Sequence, residues 1–394
     1  MEQSVIVSGV RTPFGTFGGA LAEVPAPKLG ALVIKEALER VGVSGEQVDE
    51  VLMGNVLQAG VGLSAARQAS LEAGIPEQVP SMTINKACGS SLKTISLADQ
   101  AIRAGDAEIL VAGGMESMSG APYLLPKARF GYRLGSGEVQ DHMFRDGLMC
   151  SLAGCHMGIT AENVAQDFKI AREEMDAFAE ASQKKAARAW EEHKFDREVI
   201  PVPIPQRRGD PVMFEKDEHM RPDTSADRLA KLAPAFMGEG GTVTAGNASG
   251  INDGASAVVV MSRSRANRLG LKPMGVIRGF GAAGVPPRVM GIGPIPATRK
   301  ALQRAGLEMK DIDLIELNEA FAAQALAVGK ELAWDWDRVN VNGGAIAIGH
   351  PVGASGARIA MTLLYEMERR QARYGLATMC IGGGMGVAMI LERE

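Results

Sequence analysis

The sequence predicts an α/β protein made of two copies of one folding unit, with a different segment inserted into the first copy. Strand-like and helix-like patterns alternate along the 394 residues, and part of that alternation recurs at a constant spacing. A stretch rich in proline and charge interrupts the first copy. The chain is long enough for two or three domains. We expect a mixed, mostly parallel sheet with helices on its faces.

The repeat is a series of matching stretches separated by 264 residues, an offset that rises to 270 near the end of the chain. The first match is the end of an amphipathic helix that stops at glycine, followed by a turn and a buried strand. Later matches cover a strand-to-helix junction and a glycine-rich strand end. The matched pairs are residues 37–43 with 301–307, 85–91 with 349–355, and 109–115 with 379–385.

The offsets divide the chain into three regions. Residues 1–118 and 251–270 form the first half, and residues 271–394 form the second half. The inserted region, 119–250, carries several prolines and one long helical pattern from Arg172 to Lys194. We interpret it as a loop-rich domain that covers the core.

Composition excludes several classes of protein. Hydrophobic residues make up 46% and charged residues 22% of the chain, which is typical of a folded globular protein. A net charge of −4 argues against non-specific binding to nucleic acid, and no apolar run is long enough for a membrane span. The four cysteines form no disulfide framework and the N-terminus shows no targeting signal, so we expect a cytoplasmic protein.

Cys88 and His350 are the first candidates for chemistry. Cys88 lies where a strand runs into a helix, and the positive end of the helix dipole favours a thiolate there. A buried structural cysteine is the competing interpretation. His350 lies in the matching segment of the second copy. If the two copies face each other, their helix N-termini meet and His350 can act as the base for the thiol.

Two further segments end strands with polar or flexible groups. Cys380 precedes Gly382 in a glycine-rich turn whose N–H groups can face an oxyanion, although a phosphate-binding loop remains an alternative. Neither of the common nucleotide-binding glycine motifs occurs in the right context. The carboxamide of Asn318 can hold a catalytic water and Glu319 can act as a base, but a strand-end cap is the simpler interpretation.

Together these segments resemble the thiolase family, and the resemblance extends over essentially the whole chain. The motifs are residues 85–92, 318–321, 349–351 and 380–384. The resemblance implies a five-layered α-β-α-β-α fold with a loop domain at the insertion. It also implies that Cys88 accepts the acyl group, that His350 activates Cys88, and that Cys380 moves a proton at the α-carbon of an acetyl group.

The resemblance further implies two oxyanion holes. His350 and a water held by Asn318 would form one, and the backbone N–H groups of Cys88 and Gly382 would form the other. Condensing two thioesters requires a covalent acyl carrier and a separate acid/base, so two cysteines are reasonable. Coenzyme A would be a substrate and a product, and we expect no other cofactor and no metal.

The insertion indicates the substrate. His156 and Met157 resemble the biosynthetic branch of the family, in which the acyl pocket is short. Arg221 resembles the residue that contacts the coenzyme A nucleotide, Ser249 the one that binds the pantetheine amide, and we place Phe321 with the substrate-binding residues. The expected reaction is the reversible condensation of two acetyl-CoA to acetoacetyl-CoA and coenzyme A.

Several alternatives remain at this stage. One is a 3-ketoacyl-CoA thiolase that acts on longer chains, and another is a non-catalytic lipid- or CoA-binding module on the same fold. Ketoacyl synthases share the fold but usually have a second histidine where this chain has Asn318. Residues 123–133 resemble the loop through which biosynthetic thiolases form tetramers. Ser91, where many members have glycine, is expected to crowd the nucleophile turn slightly.

Overall fold

The structure is a computed structural model that describes residues 2–394. The first part of the chain alternates strands and helices, as the sequence predicts. Its elements, in chain order, are β1 (Ser4–Arg11), β2 (Gly15–Thr16), α1 (Ala26–Glu39), β3 (Glu50–Gly54), α2 (Ala65–Glu72), β4 (Ser81–Ile84), α3 (Ser90–Ala104) and β5 (Ile109–Ser117).

The inserted region contains three small two-stranded sheets and three helices, joined by long stretches without regular structure. The long helical pattern is present as a helix that ends at Glu191, because His193 just beyond it takes a positive φ of 57°. The elements are β6 (Tyr123–Leu124), β7 (Gln140–Asp141), β8 (Met149–Cys150), β9 (Cys155–His156), α4 (Met157–Phe168), α5 (Arg172–Glu191), β10 (Val202–Ile204), β11 (Val212–Phe214) and α6 (Ala226–Leu229).

The last part of the chain returns to the core and repeats the pattern of the first part. None of the helices in residues 2–394 combines the length and apolar character that a membrane span requires. The elements are β12 (Asn252–Ser262), α7 (Arg263–Arg268), β13 (Gly275–Gly284), α8 (Pro294–Ala305), β14 (Leu314–Leu317), α9 (Ala322–Glu331), α10 (Ala345–Ile348), α11 (Ser355–Arg370), β15 (Tyr374–Ile381) and β16 (Met385–Glu392).

The large sheet is mixed, but the expectation that it is mostly parallel is wrong. Its main path runs β14-β15-β16-β13-β1-β12-β5-β3-β4. Five of the eight neighbouring pairs on this path are antiparallel. Parallel pairing needs a crossover helix. Parallel pairs therefore join only β3, β4 and β5 in the first half, and β14 and β15 in the second.

Helices lie on both sides of each half-sheet and produce the five expected layers. Helices α3 and α11 pack against each other and against strands of both halves, so they form the central layer. Helices α1 and α2 cover the other face of the first half, and α8 and α9 cover that of the second. The N-termini of α3 and α11 thereby lie side by side, next to the catalytic candidates.

The two halves share details that the repeat predicts. Asp49 precedes β3, and its carboxylate accepts the N–H groups of Glu108 and Ile109 at 2.7 and 2.8 Å. Asp313 precedes β14 and accepts the N–H groups of Arg373 and Tyr374 at 2.8 and 2.9 Å. The two aspartates are 264 residues apart and fix the same pair of strands in each half.

Candidate active site

One cavity of about 560 Å³ contains most of the predicted site. It opens between the central helices and the inserted region, and apolar side chains form much of its wall. Eight of the ten predicted site residues line it: Cys88, His156, Met157, Ser249, Phe321, His350, Cys380 and Gly382.

Cys88 sits in a tight turn between β4 and α3. Ala87, directly before it, has a left-handed φ of 44°, which costs an alanine roughly 1–2 kcal/mol. The side-chain oxygen Oδ1 of Asn85 accepts the Ala87 N–H at 3.0 Å, and Ser90 Oγ donates to the Ala87 backbone carbonyl at 2.6 Å. Gly89 is required next, because a Cβ there would lie 2.3 Å from Ile381 Cδ1.

The environment of the Cys88 thiol contains opposing effects. Burial raises its pKa, and the nearby Glu116 carboxylate raises it further. The backbone N–H groups of Gly382 and of Cys88 itself oppose this rise because they favour the thiolate. The thiol is therefore protonated at rest and needs a base, while two N–H donors already face its sulfur.

His350 lines the same cavity and is the candidate for that base. Its Nδ1 lies 2.6 Å from Ser355 Oγ, and that hydroxyl donates its hydrogen to the Pro351 carbonyl at 2.9 Å. With this assignment Nδ1 carries the proton and Nε2 does not. Burial and, to a smaller extent, the charge of Arg358 together lower the pKa of His350 to about 3, so the ring is neutral.

Asn318 lies behind His350 and does not itself line the cavity. Its amide Nδ2 is 3.3 Å from Nε2 of His350, and its side chain is fully buried. Its oxygen, Oδ1, has no hydrogen-bond partner among the described residues. Asn318 and His350 therefore act as one polar unit at the end of β14.

Cys380 is the last residue but one of β15, just before the turn to β16 that Gly382 begins. The side chain is fully buried, and burial together with the neighbouring Cys88 raises the pKa of its thiol far above the ordinary value. A thiolate of such high pKa is a strong base, as removal of a proton from carbon requires. Gly384 is needed in this turn because its φ is 84° and a Cβ would lie 2.3 Å from the Val285 carbonyl oxygen.

His156 forms another wall of the cavity as the N-cap of α4. Its Nδ1 accepts the Gly158 N–H at 3.0 Å, so in the neutral ring Nε2 carries the hydrogen. Burial lowers its pKa, and the ring stacks on Phe236 with centroids 4.7 Å apart. His156 is therefore a neutral donor suited to a carbonyl oxygen.

The remaining substrate candidates divide into two groups. Met157 and Phe321 join an apolar cluster with Cys380, and Met157 packs against the backbone of Gly382. Ser249 lines the cavity beside them. Arg221 does not: it is exposed, and its guanidinium donates to the carbonyls of the turn that precedes it.

Sequence reasoning missed several residues of the site. Ser355 sets the His350 tautomer, Asn252 accepts the His350 N–H at 2.9 Å, and Phe236 covers His156. The repeat held one usable signal, because Ser355 matches Ser91 at the offset of 264. The contacts of Asn252 and Phe236 are long-range and left no local pattern.

The departure from the family pattern at Ser91 has a structural explanation. Ser91 does not crowd the turn, since its hydroxyl points to the central layer and accepts the Ala357 N–H at 3.0 Å. It thereby joins the first turns of α3 and α11. Cys150 and Cys155 are direct partners across the β8–β9 hairpin, and both are free thiols.

The fold and the site together define a class: a duplicated α/β enzyme with two cysteines and one histidine in a single cavity. The chain belongs to the thiolase family. Residues 4–264 match the model of the thiolase N-terminal domain, and residues 271–393 match that of the thiolase C-terminal domain.

Similar proteins cover the full length of the chain. It is 59% identical over 394 residues to an acetyl-CoA acetyltransferase of Cupriavidus necator, which covers 100% of both chains. An acetyl-CoA acetyltransferase of Escherichia coli is 58% identical, again over 100% of both chains. Among solved structures, the acetyl-CoA acetyltransferase of Bacillus anthracis superposes with a TM-score of 0.97 at 46% identity, covering 100% of this chain and 99% of that one.

Proposed function

We propose that this protein is an acetyl-CoA C-acetyltransferase that condenses two acetyl-CoA to acetoacetyl-CoA and coenzyme A, and also catalyses the reverse thiolysis. The observation that carries the proposal is that Cys88, His350 and Cys380 line one cavity. The full-length similarity to acetyl-CoA acetyltransferases supports it.

In the first half-reaction, Nε2 of His350 takes the proton of the Cys88 thiol. The thiolate attacks the carbonyl carbon of acetyl-CoA and forms a tetrahedral intermediate. The new N–H of His350, with a water held by the buried Asn318 oxygen, stabilises the negative oxygen. The intermediate collapses to acetyl-Cys88, and the leaving coenzyme A thiolate takes the proton of the Cys380 thiol, which leaves Cys380 as the thiolate.

In the second half-reaction, the Cys380 thiolate removes a proton from the methyl group of a second acetyl-CoA. The resulting carbanion attacks the acetyl group on Cys88, and the N–H groups of Cys88 and Gly382 bind the oxyanion. Acetoacetyl-CoA forms as the bond to Cys88 breaks. The Cys88 thiolate takes its proton back from His350, which completes a ping-pong cycle with both cysteines protonated again.

The acyl-chain profile of thiolysis tests this assignment against the longer-chain alternative. Met157 and Phe321 line the apolar part of the cavity, and His156 with Met157 resembles the branch that has a short acyl pocket, so we expect faster thiolysis of acetoacetyl-CoA than of a C8–C16 3-ketoacyl-CoA. Initial rates with both substrates at equal concentration decide the matter. Faster cleavage of the long substrate would assign the protein to the 3-ketoacyl-CoA thiolases of fatty-acid degradation.

Coenzyme A is thus the substrate and product, with acetyl-CoA and acetoacetyl-CoA as its acyl forms. We propose that Arg221 contacts the nucleotide end and Ser249 and His156 the pantetheine arm. The proposed chemistry uses no metal and no other cofactor. Its dependence on two reduced thiols fits a cytoplasmic location.

We further propose a homotetramer, assembled as a dimer of dimers. Many of the large exposed apolar side chains concentrate in one part of the inserted region, where a second copy can cover them. Light scattering at micromolar concentration is expected to give a tetramer, and a monomer would refute the assembly. These side chains are Tyr123, Leu125, Phe130, Leu134, Val139, Phe144 and Leu152.

A further inference from the structure

The loop that carries His350 is hydrogen-bonded, both before and after His350 in the chain, to buried carboxylates that the proposed reaction does not use. Before His350, the start of α10 is bound by Glu319, which is 1% exposed. After His350, the N–H of Gly353 is bound by Glu116, which is 0% exposed. One carboxylate comes from each half of the molecule.

Glu319 is surrounded by donors alone. Its Oε2 accepts the hydroxyl of Ser182 at 2.6 Å and the N–H of Ile346 at 3.2 Å, and its Oε1 accepts Nδ2 of Asn340 at 2.7 Å. The Ser182 hydroxyl cannot reverse its role easily, because it already accepts the N–H of Gly344 at 3.0 Å. A Cβ on Gly344 would lie 2.2 Å from the Glu319 carboxyl carbon.

Glu116 has the same arrangement at the end of β5. Its Oε1 accepts Nδ2 of Asn55 at 2.9 Å and the N–H of Leu57 at 3.1 Å. Its Oε2 accepts the N–H groups of Val56 at 3.0 Å and Gly353 at 2.9 Å. Each oxygen therefore holds two donors, and the carboxylate has no remaining acceptor position in the plane.

The two carboxylates connect the His350 loop to the other reacting groups. Glu319 directly follows Asn318 in the chain and binds the start of the loop, so it fixes the position of Asn318 relative to the loop. Glu116 fixes residues 55–57, and the Val56 carbonyl in turn accepts Nδ2 of Asn85 at 3.3 Å, the residue that shapes the Cys88 turn. The two carboxylates thus connect both Asn318 and the Cys88 turn to the loop that carries His350.

We propose that Glu116 and Glu319 are positioning residues that together set the place of His350 relative to Cys88 and Asn318, an inference that rests on the proposed function. A buried carboxylate with only donors around it cannot be replaced by an amide without setting an NH₂ group against another donor. The Glu→Gln change therefore moves the loop, although the reacting side chains remain.

The test measures the alkylation of Cys88 by iodoacetamide in the full-length protein, with mass spectrometry to identify the modified cysteine. We expect Glu319→Gln to slow alkylation at pH 7 and to move its pH midpoint upward, because His350 no longer takes the thiol proton. At the other carboxylate we use Glu116→Asp, which shortens the side chain but keeps the charge that raises the Cys88 pKa, and we expect the same change. In turnover, kcat falls roughly 10- to 100-fold while KM for acetyl-CoA stays close to the original value.

Asp313→Asn and Asp49→Asn are matched controls. They make the same carboxylate-to-amide change, against backbone N–H donors, at the opposite ends of the strands. We expect them to leave the alkylation profile unchanged. If Glu319→Gln does not fold, Glu319→Asp keeps the acceptor on a shorter side chain and is expected to give the same shift in the profile.

His350→Ala separates this inference from the proposed function. If His350→Ala slows Cys88 alkylation while the folded Glu variants match the unchanged protein, the positioning role is wrong and the function stands. If His350→Ala leaves both alkylation and turnover unchanged, the proposed function itself fails.

Discussion

The two halves of the molecule share a frame, which is their common arrangement of strands and helices. They differ in the residues that precede the central helices α3 and α11. In both, an aspartate caps the parallel strand pair, and a helix of the central layer begins next to the cavity. In the first half, Cys88 lies two residues before α3 and supplies the thiol. In the second, His350 lies five residues before α11 and supplies the imidazole. The comparison shows that duplication provides the meeting point and that divergence at the helix N-termini provides the chemistry.

The two halves also differ at the edge of the sheet, where the second half lacks the edge strand of the first. The first half has a four-residue edge strand, β4, whose Ser81 pairs with Val51. In the second half only a single bridge, between Ile315 and Val339, remains at the matching place. The chain after Val339 leaves the sheet to form the loop that carries His350.

Removing the thiol of the first half has the largest expected effect. Cys88→Ala eliminates the acyl acceptor, so turnover in both directions should fall by about 10⁴-fold or more. Initial-rate assays of condensation and thiolysis measure this, with circular dichroism to show that the variant is folded. Turnover near the original rate would show that the first half does not supply the reacting thiol, and the two halves would then not hold complementary groups.

Removing the partner of His350 has an intermediate expected effect. In Ser355→Ala, Nδ1 loses its acceptor at 2.6 Å, so the ring is free to rotate and to change tautomer. Loss of such a supporting contact typically costs about 10- to 100-fold. We expect kcat/KM to fall by that amount and Cys88 alkylation to slow in parallel. Full activity in this variant would show that His350 is oriented by other contacts.

Changes to the shared frame are expected to have the smallest effect on activity. They test whether the two aspartates contribute equally to the stability of the two halves. Asp49→Asn and Asp313→Asn each weaken two hydrogen bonds to backbone N–H groups, and each should lower the free energy of unfolding by about 1–3 kcal/mol. Because the two sites are equivalent, the losses should be similar, and kcat should not change. Urea unfolding with a matched activity assay measures both. A large loss at only one site would mean that the frame is not shared.

The sequence predicts some features of the fold and of the candidate site better than others. The repeat predicts that Cys88 and His350 meet, because it leaves a local pattern at a constant offset, and the resemblance to the thiolase family adds Cys380. All three residues line one cavity. Strand direction was misjudged, since hydrophobic patterns report burial and not orientation. Glu116 was missed because its contact with Gly353 spans 237 residues and has no local signature. Arg221 lies outside the cavity, so its link to the nucleotide stays a prediction.

The division of labour between the two cysteines is the central claim, and trapping the acyl-enzyme tests it most directly. The Cys380→Ala variant is incubated with acetyl-CoA and analysed by mass spectrometry of its peptides. Cys88 and His350 are intact in it, so we predict stoichiometric acetylation of Cys88, release of coenzyme A and no acetoacetyl-CoA. An unacetylated Cys88, or continued formation of acetoacetyl-CoA, would contradict the account.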